Sequence, residues 1–126
     1  MSPSDIPAPV RRLILEAIDS VAELEALLLL RDSPGTRWTP EAASARLYVS
    51  PTVAAHTLAA LTRRGLLDET TAGYSYRPSS PRLDEVVTAL AAAYATQLIA
   101  VTHLIHAKPS PSMQDFARAF RFRKDS

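Results

Sequence analysis

The sequence predicts a mainly α-helical domain that carries one small β-hairpin and ends in a long helix. Three observations support this class. Apolar residues recur at helical spacing between the prolines, a short stretch before Pro78 alternates with a period of two, and the 22 residues from Val86 to Ala107 include no charged side chain. A chain of 126 residues is the usual size of one domain.

Composition excludes several classes of protein. Hydrophobic residues make up 47% of the chain and charged residues 21%, which is an ordinary globular balance. The sequence has no cysteine, so disulfides, zinc ribbons and iron–sulfur ligation are excluded. With only three glycines and no glycine-rich phosphate loop, we expect no enzyme, no catalytic residues and no cofactor. His103 and His106 share a helix face but have no third ligand near them, so no metal is expected.

The first two helices are predicted from prolines and a cap. Residues 1–9 contain three prolines and no basic start or apolar core, which predicts a flexible N-terminal arm rather than a signal peptide. A helix then begins at Val10. Ser20 and Glu23 form a capping-box pattern, which predicts a second helix through the leucine run to the loop at 32–35.

Two further helix starts lie close together. Thr39-Pro40 and Ser50-Pro51 each pair an N-cap residue with proline at the first helical position, and Gly65 is a typical helix stop. The first of these helices is expected to stop near Val49. Two capped helices separated by a short turn predict a helix-turn-helix.

A hairpin is expected directly after the second of these helices. Strands are predicted at 66–69 and 74–77, with the turn at 70–73 between them, and Pro78 ends the return strand. Tyr74 and Tyr76 share one face of this hairpin, one of them as an anchor on the core, and Trp38 is expected to cover the core. A helix-turn-helix followed by a hairpin is the order of a winged helix, here assigned to residues 10–82.

The segment from Leu24 to Pro78 resembles bacterial winged-helix transcriptional regulators of the broad MarR- and PadR-type group. The resemblance is carried by the sequence segments Leu24-Glu-Ala-Leu-Leu-Leu-Leu30, Trp38-Thr-Pro-Glu-Ala-Ala43, Leu58-Ala-Ala-Leu-Thr-Arg-Arg-Gly-Leu-Leu67 and Tyr74-Ser-Tyr-Arg-Pro78. It implies a winged helix that binds DNA and pairs through terminal helices. The ending from Phe116 to Lys124 is similar to the close of an uncharacterised bacterial group, which implies no known activity.

Candidate DNA-binding residues lie on and around the second helix of the pair, which in this fold normally enters the major groove. Residues 37–82 carry six arginines against three acids, although the net charge of the chain is only +1. Arginine suits contacts with phosphate, and a basic residue near the wing can reach the minor groove. We assign base or phosphate contacts at the helix to Ser50, Thr52, His56 and Arg63, and phosphate contacts to Arg46, Arg64 and Arg77.

The charge-free stretch is predicted to form one long dimerisation helix over residues 83–108. One apolar stripe would face its own domain and a second would face another copy, because a monomer of this size offers little material to cover both. An aspartate at Leu98 is then expected to unfold the domain, and one at Ile99 to release a folded monomer. The alternative is a helix buried within its own domain. Candidate interface residues are Leu90, Tyr94, Leu98, Ile99, Val101 and Ile105.

The C-terminal tail, residues 109–126, combines phenylalanines with basic residues. Residues 113–124 are expected to dock on the dimer, to bind a partner protein or to contact phosphates. Because Gln97 and two histidines lie in the charge-free stretch, insertion into a membrane is not expected, and a cytoplasmic protein is the default.

These observations together predict a DNA-binding transcriptional regulator that acts as a homodimer on double-stranded DNA. The alternative is a winged helix that serves as a protein-interaction module, as an adaptor or antagonist of another regulator, with no DNA binding of its own. The small number of long polar side chains on the reading helix favours that alternative. The salt dependence of duplex binding separates the two hypotheses.

Overall fold

The computed structural model describes residues 6–107, and within this range the chain forms six helices and one antiparallel hairpin. The prediction of a mainly helical protein with a small hairpin is confirmed. The tail at 109–126, and with it the 113–124 segment, lies outside the described residues. The elements in chain order are α1 (Ala8–Ala17), α2 (Val21–Arg31), α3 (Pro40–Leu47), α4 (Pro51–Arg63), β1 (Leu67–Thr70), β2 (Gly73–Tyr76), α5 (Pro81–Thr96) and α6 (Leu98–His106).

The predicted N-caps are confirmed by their hydrogen bonds. The hydroxyl oxygens of Ser20, Thr39 and Ser50 each accept a hydrogen bond, at 3.1 Å, from the backbone N–H three residues further on. Each bond satisfies a donor that has no partner within its helix. Local sequence therefore sets where α2, α3 and α4 begin.

The ends of α3 and α4 close in the same way. At the end of α4, Leu66 donates its backbone N–H to the Leu61 carbonyl, and Gly65 between them has a φ of 81°. At the end of α3, Val49 donates to the Ser44 carbonyl, and the left-handed position is held by Tyr48, with a φ of 58°. This closure favours glycine at the left-handed position.

The hairpin is extended by a segment that the sequence did not predict as a strand. β1 and β2 pair with Leu67 opposite Tyr76 and Thr70 opposite Gly73. On the other edge of β2, Trp38 and Tyr74 exchange both backbone hydrogen bonds, at 2.7 and 2.8 Å. Trp38 and Tyr74 are both 8% exposed, so the hairpin is fixed to the core at this bridge.

A single hydrophobic core connects the helices. Its fully buried side chains include Ile14 from α1, Leu27 from α2, Leu58 from α4 and Leu90 from α5. The prediction of a flexible arm at 1–9 is wrong for residues 6–9, because Ile6 is 4% exposed and α1 begins at Ala8. α1 packs against α5 and α6.

The prediction of a single long helix at 83–108 is also wrong. The chain breaks at Gln97, where it bends by 112° between α5 and α6. Gln97 donates its N–H to the Ala93 carbonyl at the end of α5, and its own carbonyl accepts the first bond of α6 from Val101. The break returns Val101 and Ile105 to the core, where they are 0% and 2% exposed. A straight helix would instead have carried both side chains away from the core.

Among the described residues, no single helix is long and apolar enough to cross a membrane. α5 and α6 reach the required length and composition only when they are taken together, across the 112° bend.

Candidate nucleic-acid interface

The exposed side of α4 carries three of the predicted contact residues. Thr52, His56 and Arg63 are exposed, and Ala54, Leu58 and Leu61 on the opposite side are fully buried. This division follows from helical periodicity, because residues three and four apart share a face. α4 therefore presents these three side chains to solvent.

Ser50 marks the N-terminal end of this face. Its oxygen accepts the Val53 N–H, so its hydroxyl proton remains available to a ligand oxygen. Pro51 has no N–H and the Val53 N–H is bonded to Ser50, so the Thr52 N–H is the donor left at this partially positive end of the helix. An anion placed beside Ser50 and Thr52 would meet donors from both the backbone and the side chains.

Three of the arginines between 37 and 82 are already paired. Arg37 lies 3.2 Å from Asp68, Arg82 lies 3.4 Å from Glu85, and Arg64 is held by two carboxylates. Arg46, Arg63 and Arg77 are exposed, and none of them makes an ion pair with a residue in the range 6–107. These three remain available for phosphate.

The structure corrects the prediction that Arg64 contacts phosphate, because this side chain is paired within the domain. Its guanidinium lies 2.6 Å from Glu23 Oε1 and 2.9 Å from Asp19 Oδ2, and it donates to the Ala17 carbonyl at 2.7 Å. The side chain is 26% exposed. Three of its five N–H donors are used within the domain, because the end of α1 and the start of α2 lie beside the end of α4.

Arg77 lies at the base of the hairpin, which agrees with its place at the end of the predicted return strand. It follows β2 at the base, where its N–H bonds to the Leu66 carbonyl. At about 3.3 Å per residue, this position is roughly 17 Å from Ala72, the nearer residue of the turn at 71–72. The exposed residues near the turn include Glu69 and no basic side chain. The contact of Arg77 with a minor groove or its phosphates stays a prediction, and it would be made from the base of the hairpin.

Arg46 lies over the ring of Trp38, with its guanidinium carbon 5.7 Å from the ring centroid. A cation over an aromatic face is attracted to it and keeps its N–H groups at the edge free for other acceptors. Trp38 Nε1 is buried and has no hydrogen-bond partner among residues 6–107. The ring of Trp38 therefore orients the guanidinium of Arg46 in the last turn of α3.

A groove of about 420 Å³ runs along the exposed side of α4. Its lining includes His56 and Arg63 as well as Asp19 and Glu23, the two carboxylates that are paired with Arg64. Val53 also lines it and is 44% exposed. The face is therefore bordered by two acids as well as by a free cation, which the sequence did not reveal.

Tyr48, which was not predicted as a contact residue, is 94% exposed and has a left-handed backbone. This conformation costs a residue other than glycine about 1–2 kcal/mol. The available signal was the absence of glycine or asparagine between two capped helices only three residues apart. Together with Arg46, Tyr48 lines a second groove of about 310 Å³.

Half of the predicted interface residues belong to the core. Leu90, Val101 and Ile105 are at most 2% exposed, so they are not available to a second copy. Tyr94 is partly buried, and its hydroxyl donates to Glu25 Oε1 at 3.2 Å. Leu98 was expected to face the core and is instead 51% exposed, because the break at Gln97 turns it outward. Ile99 is 81% exposed.

Hydrogen bonds of two tyrosines attach α5 to the rest of the domain. Tyr76 Oη donates to Asp84 Oδ1 at 2.7 Å, and burial followed by this carboxylate raises the pKa of Tyr76 well above its ordinary value. Burial and Glu25 likewise raise the pKa of Tyr94. The pKa of Tyr74 is raised by burial and by Glu69. All three phenols keep their protons at neutral pH.

Among residues 6–107, no group of three or more histidine or acidic side chains lies close enough together to hold a metal ion. Comparison of the chain with protein-family models, with curated proteins and with solved structures found no match.

Proposed function

We propose that this protein is a DNA-binding transcriptional regulator that uses a winged helix-turn-helix as a homodimer. The observation that carries the proposal is the exposed face of α4, where Thr52, His56 and Arg63 lie opposite a fully apolar buried side. The length of α4, 13 residues, is sufficient to span a major groove, and its N-terminal end carries free donors. The helix order α2, α3, α4 followed by a hairpin is the order of a winged helix.

In this mechanism α4 lies in the major groove and the free arginines contact phosphates. Arg63 donates to a guanine edge or a neighbouring phosphate, and His56 donates to a base edge. Arg46, oriented by Trp38, contacts the sugar–phosphate backbone. At the start of α4 a phosphate binds to the Ser50 hydroxyl and the Thr52 backbone N–H.

A homodimer would place two such helices on two half-sites. The proposed contact is a patch formed by exposed, uncharged residues at the junction of α5 and α6, comprising Ala92, Ala95, Thr96, Leu98 and Ile99. Exposed isoleucine and leucine without a charged neighbour in the sequence favour contact with another apolar surface. No enzyme activity, cofactor or metal is part of this proposal.

One observation favours the second candidate, a winged-helix module that binds protein. The groove along α4 is bordered by Asp19 and Glu23 and includes the exposed Val53. Carboxylates repel phosphates, whereas a groove lined by both acidic and apolar side chains suits a peptide that carries basic and apolar side chains. The ion pairs of both acids with Arg64 reduce this repulsion.

Binding of a mixed-sequence DNA duplex at two salt concentrations tests the proposal. DNA binding through phosphate contacts predicts an affinity that falls with salt in proportion to the number of contacts. A chain that does not bind duplex at low salt contradicts the proposal and favours the protein-binding module.

A further inference from the structure

Tyr48 lies at a place where neither the backbone nor the core favours a tyrosine. Its φ of 58° and ψ of 41° are left-handed, and its side chain is 94% exposed. The same helix closure at the end of α4 uses Gly65, which adopts this conformation without strain. The ring of Tyr48 thus gains little from packing in its own domain, while the backbone is strained by its Cβ.

The surroundings of Tyr48 indicate what the ring contacts. Arg46, which has no ion-pair partner among the described residues, lines the same groove. Ser50, two residues later in sequence, opens α4 with its hydroxyl proton available. Glu25, the acid that lines this groove, already accepts a hydrogen bond from Tyr94. A flat ring with a hydroxyl donor beside a free arginine fits a sugar–phosphate strand, where the ring packs on a deoxyribose and the hydroxyl donates to a phosphate.

We infer that Tyr48 is a further DNA-binding residue, which contacts the sugar–phosphate backbone at the turn before α4 and is retained there at the expense of stability. The inference rests on the proposed DNA binding. It assigns to Tyr48 an uncharged contact that does not depend on base sequence, separate from the face formed by His56 and Arg63.

Three variants of the full chain separate the ring from the backbone strain. Tyr48→Ala removes the ring and keeps the strained Cβ, Tyr48→Gly removes both, and Tyr48→Phe removes only the hydroxyl. Binding to a mixed-sequence duplex should weaken about tenfold in the alanine and glycine variants and about threefold in the phenylalanine variant. Only Tyr48→Gly should raise the melting temperature, by about 3 °C. Leu15→Ala, which shortens a half-exposed side chain of α1, is the matched control and should bind duplex as the wild type does.

The salt dependence distinguishes Tyr48 from its neighbour. Because the contact is uncharged, the slope of log affinity against log salt should be the same for Tyr48→Ala as for the wild type, while Arg46→Ala should lower it by about one unit. Unchanged duplex affinity of Tyr48→Ala and Tyr48→Gly beside a wild type that binds would overturn the inference alone, and would leave the ring to a protein partner. A weakened glycine variant beside a normal alanine variant would also overturn it, because flexibility and not the ring would then be the cause. A wild type that does not bind duplex overturns both this inference and the proposed function.

Discussion

Arg64 Nη1 lies 2.6 Å from Glu23 Oε1, and this ion pair joins the end of α4 to the first turn of α2. The same carboxylate oxygen accepts the backbone N–H of Asp19 at 2.8 Å, so the pair also fixes the turn between α1 and α2. Arg64 therefore positions the proposed reading helix from inside the domain. Its neighbour Arg63 lies on the exposed face of the same helix.

We predict that Arg64→Ala lowers the free energy of unfolding by about 1–3 kcal/mol, because it leaves two partly buried carboxylates without their cation. Urea denaturation measures the effect. Arg63→Ala is the matched control, and its exposed side chain should change stability by no more than about 0.5 kcal/mol. Equal midpoints for Arg64→Ala and the wild type would show that the ion pairs do not hold α4 in place.

Gly73→Ala should destabilise the hairpin more than Gly35→Ala. A Cβ at Gly73 would lie 2.7 Å from the Trp38 carbonyl oxygen, and its φ of 130° is unfavourable for any other residue. Gly35 also has a positive φ, of 81°, but a Cβ there meets nothing within 4 Å. Thermal unfolding should show a loss of about 1 kcal/mol at Gly35 and a larger loss at Gly73. The opposite order would contradict the close contact between Trp38 and β2.

Stability should decline in alkaline solution because of the tyrosines. Burial and neighbouring carboxylates raise the pKa of Tyr74, Tyr76 and Tyr94 above the ordinary value of 10.0. The unfolded chain releases these protons near pH 10, whereas the folded chain retains them to higher pH. The contribution to stability is therefore full below that pH and is lost as pH rises above it.

The absorbance of phenolate during unfolding at several alkaline pH values measures this contribution. Tyr76→Phe should weaken the dependence of stability on alkaline pH, because it removes the phenolic proton that the hydrogen bond to Asp84 holds on Tyr76 in the folded state. A native phenol at position 76 that ionises near pH 10 would contradict the hydrogen bond to Asp84.

Trp38 offers an optical signal for binding, because it is the only tryptophan and lies under Arg46. If Arg46 turns to a phosphate, the fluorescence of Trp38 should change when duplex is added. Arg46→Ala should abolish the change and retain the buried emission of the free protein. A fluorescence change of equal size in Arg46→Ala would show that movement of Arg46 to a phosphate is not its cause.

Ile99→Asp tests the proposed dimer. Ile99 is 81% exposed, so the substitution should leave the fold intact and dissociate the pair, because a carboxylate buried in an apolar contact costs several kcal/mol. Thr36→Asp, which adds the same charge to an exposed loop residue, is the control. Sedimentation should show a dimeric wild type and control and a monomeric Ile99→Asp. A wild type that sediments as a monomer at micromolar concentration would exclude the paired half-sites.

Features set by local chemistry could be predicted from the sequence. The caps at Thr39 and Ser50 and the helix stop at Gly65 depend on residues within one turn, and the spacing of Ala54, Leu58 and Leu61 alone gives the buried side of α4. The position of Arg64 could not be predicted in this way, because its partners are more than 40 residues away in the chain. The break at Gln97 also depends on distant contacts, since no proline or glycine marks it and the core around α1 determines where α6 packs.

The proposal that the exposed face of α4 reads DNA is best tested at Arg63. Selection of duplexes from a random-sequence pool with the wild-type protein should enrich a defined site. On that site Arg63→Ala should lose roughly 1–3 kcal/mol of binding free energy and relax the preference for one base pair. Arg82→Ala, which removes an exposed arginine from α5, should bind the site as the wild type does. Equal affinity of Arg63→Ala and the wild type for the selected site would contradict the claim.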